Sequence, residues 1–424
     1  MDSCVSLVLV SLSLAHFAAK VLTVSVASAE EVARSLPEFP PSLGDEPVDS
    51  PPYGRGHLKP FGYQRAPEGP VQEYIEELHP SDFYRTHIKP KRPLVYRGMV
   101  SDSPAFRLWT DEYLRETYGS LDVMSEVKNE SRATPPKRMQ MREFLDRYQK
   151  DNLYIVTVLP DDMRKEVKAP RSVLCGSTRR FIQEANLWMS NGGTRSVIHY
   201  DADHNIHCLL AGRKDFVMIP KKYQAQLYMA SQTINGSGYS LIDPDSVDLM
   251  QYPLAAGVPW TWATLAPGDC IFLPGGYLHQ VRSYTRSISE TLLFTPTRWF
   301  NDSNCNTTDV DSYMSLADVE LKWTYLKGQK HIEMGYMNPE LIRESLFRQL
   351  THNAAISREL FMEIITDDLR SEANEFATDA MSAKLWLEIK SPDRDYLTYE
   401  DVENAPLEAL KNIARAIDPP HDTD

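Results

Sequence analysis

The chain has 424 residues, 42% of them hydrophobic and 25% charged, with a formal net charge of −14 at pH 7. That is ample apolar material for a large core, on a length that suits two or three domains or one large domain with appendages. The acidic balance argues against nucleic acid as a partner, because an acidic surface repels phosphate backbones.

Residues 1–29 read as a secretory signal. Val5 to Ala19 is apolar or small almost throughout, and Ala27-Ser28-Ala29 has the small-x-small form of a signal-peptidase site, with Glu30 and Glu31 following. A membrane anchor that stays uncleaved is the other reading, since Asp2 stands where a basic residue is usual and Lys20 interrupts the later apolar stretch. No second run approaches the ~20 apolar residues that span a bilayer, so signal cleavage leaves no stable span. Asn-x-Ser/Thr triplets at Asn129, Asn235, Asn301 and Asn306 fit the endoplasmic reticulum lumen or secretion. Of five cysteines, Cys4 lies in the signal. Cys175, Cys208, Cys270 and Cys305 permit three pairings, between which the sequence does not choose. Cys208 and Cys270 lie in apolar, strand-like runs and fit buried free thiols at least as well as disulfides.

Residues 30–70 form a proline-rich linker or arm, with strings such as LPEFPPSLGDEPVDSPPYGRG. From Val71 the pattern changes. Short helices are expected over Val71–Leu78 and Ser81–Thr86, a strand over Pro93–Tyr96, and a helix over Trp109–Tyr118 stopping at Gly119. Strands follow at Leu121–Val127 and Leu153–Val158, with a helix over Met141–Tyr148 between them. From Leu187 to about Thr295 the chain is a series of apolar runs of strand length, broken by Gly, Pro, Asn and Asp, such as SVIHY, HCLLAG, DFVMIP, WTWATL, DCIFLP and SISETLLF. Such spacing indicates a sandwich or barrel. Beyond residue 300 the period turns helical, over Met314–Gly328, Pro339–Thr351, Ser357–Asp368 and Glu372–Ile389. Near the end, SPDRDYLTYEDVE has the acidic groups of a calcium loop but not its glycine, nor a glutamate twelve residues from a first aspartate. A capping segment ahead of a last helix is the better reading.

The chemistry concentrates at His199, Asp201 and His279. Residues i and i+2 of a strand point to one face, so a single strand can offer His199 and Asp201 to one ion. A barrel strand that returns beside its start can add His279. Two imidazoles and one carboxylate suit Fe(II) and leave coordination positions free. Zinc is the chemical rival, though its sites close tetrahedrally or keep a single open position. His204 and His207 lie on the same stretch and read as supporting or core residues. Trp260 and Trp262 read as core. Lys214, alone between apolar runs, needs an anion, whereas Arg213 suits a solvated turn.

The block HYDADHNIHCLLAGRKDFVMIP, followed by APGDCIFLPGGYLHQV, resembles the JmjC (cupin-8) family of Fe(II)/2-oxoglutarate-dependent oxygenases. The likeness is to its asparaginyl- and lysyl-hydroxylase branch rather than the large histone demethylases, and it spans roughly residues 80–300. It implies a mainly β fold, a double-stranded β-helix (jelly-roll or cupin barrel) over residues 71–300. A helical lead-in precedes the barrel, and residues 301–424 form a helical C-terminal region. It implies His199, Asp201 and His279 as iron ligands, with 2-oxoglutarate and O2 as cosubstrates. Lys214 and Ser196 would hold the distal carboxylate of 2-oxoglutarate, Asn205 would stand beside the metal, and Tyr154 would reach the cosubstrate. One departure stands out: many members carry Asn on the final strand, where SISETLLF offers Glu290 or Thr291. A carboxylate there would perturb cosubstrate binding or recruit a basic target.

The expected function is therefore a dioxygenase that hydroxylates, or less readily demethylates, a protein or peptide side chain in the secretory pathway. A homodimer through the C-terminal helices is possible on the family pattern. The alternative is a catalytically silent module of the same fold that binds partners in the lumen, against which the presence of both triad and Lys214 speaks. A metal cupin of isomerase type typically uses His-x-His plus Glu and His, and Asp201 disfavours it.

Overall fold

Thr110 shows how local chemistry places the first elements. Its hydroxyl accepts the Tyr113 N–H at 3.2 Å, Asp111 and Glu112 fill the first turn, and Leu114 and Tyr118, four apart, bury one face of the helix. Trp109 stays outside this helix and donates its indole N–H to Glu166 at 2.7 Å. The helix expected over Trp109–Tyr118 is found over Asp111–Tyr118, preceded by a separate short helix, Pro104–Leu108.

The computed structural model describes residues 36–44, 53–128, 136–231, 237–297, 300–302, 304–306, 309–321, 324–327, 330–333, 339–365 and 375–417. The expected signal and the triplets at Asn129 and Asn235 lie outside these residues; Asn301 and Asn306 lie within them and are exposed. Residues 1–46 form a unit apart, whose described part holds neither helix nor strand.

The strands are β1 Glu73–Tyr74, β2 Leu94–Tyr96, β3 Asp122–Glu126, β4 Lys137–Gln140, β5 Tyr154–Val158, β6 Ile182–Ser190, β7 Thr194–Arg195, β8 His199–Tyr200, β9 His204–Ala211, β10 Lys214–Ile219, β11 Gly238–Tyr239, β12 Thr261–Leu265, β13 Cys270–Leu273, β14 Leu278–Ser283 and β15 Ser287–Phe294. Nine form one sheet in the order β1-β2-β13-β9-β15-β6-β5-β3-β4; β11-β8-β14-β10-β12 form the other, with β7 beside β14. Apart from the parallel β1–β2 pair, neighbours run antiparallel. This is the expected barrel of two sheets with helices at its flank. No described helix is long and apolar enough to cross a membrane.

Two cores sit on opposite faces of the large sheet. Leu209, Phe216, Met218, Leu265, Ile271 and Leu273 fill the barrel interior. Ile206, Cys208, Cys270, Ile288, Leu292 and Phe294 point outward and pack with Phe83, Leu94, Leu114 and Phe144 from the lead-in. Alternation along each strand assigns the faces.

Several expectations change. Val71–Leu78 is no helix: Glu73–Tyr74 pairs with β2 instead. Of the two readings for the proline-rich segment, linker or arm, the part from Tyr53 onward is an arm, since Leu58 donates to Val247, Phe61 to Pro244, Glu68 to Trp260 and Val71 to Trp262. Trp260 is buried and its indole donates to the Arg65 carbonyl, which binds this arm. Over Met314–Gly328 the described residues hold a one-turn helix, Leu316–Asp318, and the strand β16 Thr324–Lys327, paired with β17 Lys330–Glu333. Cys208 and Cys270, registered opposite each other on β9 and β13, form a disulfide, and Cys175 pairs with Cys305.

The C-terminal helices that matter below are α1 Pro339–Leu350, α2 Arg358–Glu363, α3 Glu375–Ile389, α4 Tyr399–Glu403 and α5 Leu407–Ile417. Their short β18 Ile356–Ser357 and β19 Tyr396–Leu397 pair, and Ile342, Phe361, Trp386, Leu397 and Leu410 share a core. Thr398 caps α4 through a capping box with Asp401, as the sequence suggested.

Candidate metal centre

His199 opens β8 and lies opposite His279 of β14 in the strand register, the rings 4.2 Å apart between centroids. Strand β8 is two residues long, so Asp201 stands just past its end rather than on it. The Asp201 carboxylate nevertheless comes to 3.9 Å from His199 Nε2 and 3.7 Å from His279 Nε2. The three ligand atoms lie within 4.8 Å of one another.

Each imidazole is held from behind. His199 Nδ1 lies 2.9 Å from the Val197 carbonyl and His279 Nδ1 3.0 Å from that of Tyr277. A carbonyl only accepts, so both Nδ1 atoms carry a hydrogen and both Nε2 atoms turn toward Asp201. Burial pulls the His279 pKa down to about 4, which keeps that ring neutral. Asn205 donates from Nδ2 to Asp201 Oδ2 at 2.6 Å and fixes the carboxylate.

The turn Pro274-Gly275-Gly276 aims β14. The Gly276 N–H donates to the Asp201 carbonyl at 2.7 Å, and the Gly275 N–H to His204 Nδ1 at 2.8 Å. A Cβ on Gly275 would stand 2.5 Å from the Ala202 carbonyl oxygen, so only glycine lets the turn approach the Asp201 loop this closely. His204 is thus a buried support for the turn and not a ligand.

Beside the triad opens a cavity of about 430 Å³, the size of a small-molecule site. It brings together the residues that the resemblance gave to metal and cosubstrate: Tyr154, Ser196, His199, Asp201, Asn205, Lys214 and His279 all line it. Lys214 starts β10, is 2% exposed, and pairs with no carboxylate among the described residues; burial pulls its pKa down to about 7. Ser196 accepts the Val281 N–H at 2.9 Å, leaving its hydroxyl hydrogen for an acceptor in the cavity. Tyr154 is a wall residue, 6.0 Å from Trp188 between ring centroids. Phe216, Leu273, Val281 and Leu293 supply apolar walls. Among the described residues the Asn205 Oδ1 and His207 Nε2 atoms are buried without partners. A divalent ion and a small dianion are what such a donor set fits: two neutral nitrogens and a carboxylate for the metal, a lone ammonium and a hydroxyl for the anion.

Residues 80–306, just over half of the chain, match the model of the cupin-like domain family. The chain belongs to this JmjC-type family. Among known proteins it is similar to "Lysine-specific demethylase JMJ31" of Arabidopsis thaliana, 23% identical over 50% of this chain and 48% of that one. It is 26% identical to "Lysine-specific demethylase 8" of Danio rerio, over 49% and 53% of the two chains. It is 21% identical to "Bifunctional peptidase and (3S)-lysyl hydroxylase JMJD7" of Homo sapiens, over 48% and 77%. The chain spans about half the length of most curated relatives it matches.

The departure on the last strand resolves by strand face. Thr291 lines the cavity. Glu290 points the other way, between outward-facing Ile288 and Leu292, and does not line the cavity. Both its oxygens are buried without partners among the described residues, and burial pushes its pKa up to about 8. Beyond the residues foreseen, the cavity gains Trp188, His207 and Phe216. Of these, His207 had a signal in the sequence, its strand parity with Asp201.

Proposed function

We propose that this JmjC-type chain is an Fe(II)- and 2-oxoglutarate-dependent dioxygenase that hydroxylates a protein side chain in the secretory pathway. His199, Asp201 and His279 would hold the iron; Lys214, Ser196, Asn205 and Tyr154 would serve the cosubstrate. The observation that carries the reading is Lys214: a fully buried lysine that pairs with no carboxylate among the described residues, in the same cavity as the triad. A buried charge persists only when something pairs with it, and the distal carboxylate of 2-oxoglutarate is that partner.

When bound, Fe(II) with 2-oxoglutarate and O2 supplies the oxidant that turns a substrate C–H into C–OH, releasing succinate and CO2. The chain's own groups do the rest. The Val197 and Tyr277 carbonyls hold the two imidazole lone pairs toward the metal position. Asn205 keeps Asp201 from turning away. Lys214 and Ser196 orient the cosubstrate from its far end, and the apolar walls exclude water.

Hydroxylation is preferred to demethylation because, of the three relatives named, the one whose length is matched furthest is the lysyl hydroxylase. The secretory assignment is supported by two disulfides, which persist in oxidising compartments, by the signal-like leader, and by the exposed Asn301 and Asn306. Purified protein with Fe(II), ascorbate and peptide should release succinate from 2-oxoglutarate, and Asp201→Ala should not. If neither metal nor 2-oxoglutarate raises the melting temperature of the wild type, the reading fails.

A further inference from the structure

Of Glu290 and Thr291, the two residues offered where many family members carry asparagine, Thr291 lines the cavity, and beside it stands His207, which the mechanism above does not use. Thr291 Oγ1 accepts the Trp188 indole N–H at 2.8 Å and lies 2.7 Å from His207 Nδ1. An indole N–H only donates, so one lone pair of the hydroxyl is taken. The hydroxyl hydrogen then needs an acceptor, because Thr291 is 4% exposed, and His207 Nδ1 provides one. With Nδ1 accepting, the ring hydrogen sits on Nε2. That nitrogen is buried with no partner among the described residues, on a ring that lines the cavity. Burial, reinforced by Lys214 and His279, lowers the His207 pKa and leaves the ring neutral. In the opposite tautomer the hydroxyl hydrogen and the Nε2 lone pair would both go unmatched.

We propose that His207 donates its Nε2–H to a carboxylate of 2-oxoglutarate, and that Thr291, held by Trp188, is a positioning residue that fixes the ring's tautomer. The proposal rests on the oxygenase reading. Calorimetric titration of 2-oxoglutarate into the Mn(II)-loaded full chain tests it with no turnover required. Thr291→Val and His207→Phe should each weaken binding about tenfold or more, while Thr291→Ser should restore it. In turnover, KM for 2-oxoglutarate should rise with kcat little changed. Nitrogen-15 NMR of the metal-free protein should show His207 protonated at Nε2, and Thr291→Val should lose that preference. If Thr291→Val binds as the wild type does, or the ring carries its hydrogen on Nδ1, the inference falls while the oxygenase reading stands. If the wild type does not bind 2-oxoglutarate, both fall.

Away from the cavity, the β18–β19 bridge sets a frame on the C-terminal helices. Ile356 faces Leu397 across it. Paired EF-hand loops meet through their eighth residues, and that count runs the first loop from Gln349 to Leu360 and the second from Lys390 to Asp401. Helices flank both, α1 and α2 for the first, α3 and α4 for the second. Loop positions 1, 3, 5, 9 and 12 face the cation in such a unit. The first loop offers Gln349, Thr351, Asn353, Ser357 and Leu360, with no carboxylate. The second offers Lys390, Pro392, Arg394, Thr398 and Asp401. Arg394 Nη2 reaches both oxygens of Asp401, at 3.0 and 3.1 Å, and Lys390 Nζ donates to the Arg394 carbonyl at 3.0 Å.

We infer that this region is an EF-hand-type pair whose second loop carries its cation on its own side chains, Arg394 and Lys390, and so keeps its paired form at any calcium concentration. The Arg180–Glu403 ion pair ties it to the barrel domain. Terbium emission sensitised by Tyr396, at position 7 of the loop, reads the site directly. The wild type should give none, and its melting temperature should be the same in calcium and in chelator. A variant with Lys390→Asp, Pro392→Asp, Arg394→Asp and Asp395→Gly should gain the emission, and calcium should raise its melting temperature by about 5 °C or more. Arg394→Ala should lower the melting temperature equally with and without calcium. Emission from the wild type, or none from the refilled loop, overturns the inference.

Discussion

Replacing Lys214 by methionine should stabilise the protein and abolish its cosubstrate site, two effects of opposite sign from one change. Burial pulls the pKa of Lys214 from 10.5 to about 7. At about 1.4 kcal/mol per unit, that amounts to roughly 5 kcal/mol against the charged form, and to about 4 kcal/mol against a protonated lysine at pH 7.5. Methionine has similar length and no charge to desolvate, so the metal-free, cosubstrate-free variant should gain stability, up to about 4 kcal/mol less any packing loss. For a protein of this size each kcal/mol is worth about 2–4 °C or somewhat less. The pH dependence identifies the cause. The unfolded lysine keeps its proton to pH 10.5 and the folded one only to about 7, so the wild type gains stability as pH rises between those values. The advantage of Lys214→Met should therefore be largest below pH 7 and close toward pH 10.5. Binding runs the other way: 2-oxoglutarate needs the ammonium, so above pH 7 wild-type affinity should fall by up to tenfold per unit as binding takes up a proton. Differential scanning fluorimetry across pH 6–9.5, with and without 2-oxoglutarate and Mn(II), reads both effects. A less stable Lys214→Met, or one that 2-oxoglutarate stabilises as much as the wild type, refutes the reasoning.

Glu290 predicts a pH slope of opposite sign: its folded pKa is raised from 4.5 to about 8, so stability present below 4.5 is lost as pH climbs to 8, by about 1.4 kcal/mol per unit. Glu290→Gln should flatten that slope in urea titrations at pH 5, 6.5 and 8; parallel curves for the two proteins would count against an uncompensated carboxyl. The Cys208–Cys270 bridge closes a separation of 62 residues, worth about 4 kcal/mol on chain-entropy reasoning, and Cys208→Ala with Cys270→Ala should lower stability by that order; alkylation of protein unfolded without reductant should find neither thiol free. Gly275→Ala should weaken Fe(II) or Mn(II) binding tenfold or more by pushing the turn off the Ala202 carbonyl, with the fold retained by circular dichroism; unchanged metal affinity would show that the turn does not set the Asp201 loop.

How much of this was legible depends on what each residue's neighbours reveal. That His199, Asp201 and His279 meet could be read because His-x-Asp spacing suits one ion and the family resemblance added His279, and Lys214 stood out because a lone cation between apolar runs calls for an anion to pair with it. Sequence could also place strands over 187–295, since their bounding turns are chemically marked. It misplaced Val71–Leu78 as a helix because β1 is two residues of edge strand whose order comes from β2 and from Trp262, partners far along the chain. It left the cysteines open because pairing is a matter of register between β9 and β13, which local pattern does not report.

Glu290 and Thr291 show the limit most sharply. A strand with one wet face alternates in polarity, and the alternation tells which residues point inward. Strand β15 is buried on both faces, by the cavity on one side and the helical lead-in on the other, so SISETLLF is apolar or small almost throughout and carries no such phase. Either of the two adjacent residues could then have stood for the family asparagine, and the chemically louder one, the carboxylate, drew the functional reading. The structure gives the cavity to the quieter hydroxyl and leaves the carboxylate in an apolar layer, where nothing on the described residues answers it. The chemical weight of a residue type says little about its role when the face is unknown. In this chain a threonine acting through His207 carries the site's departure from its family, and the buried glutamate is a liability for stability that leaves the chemistry untouched.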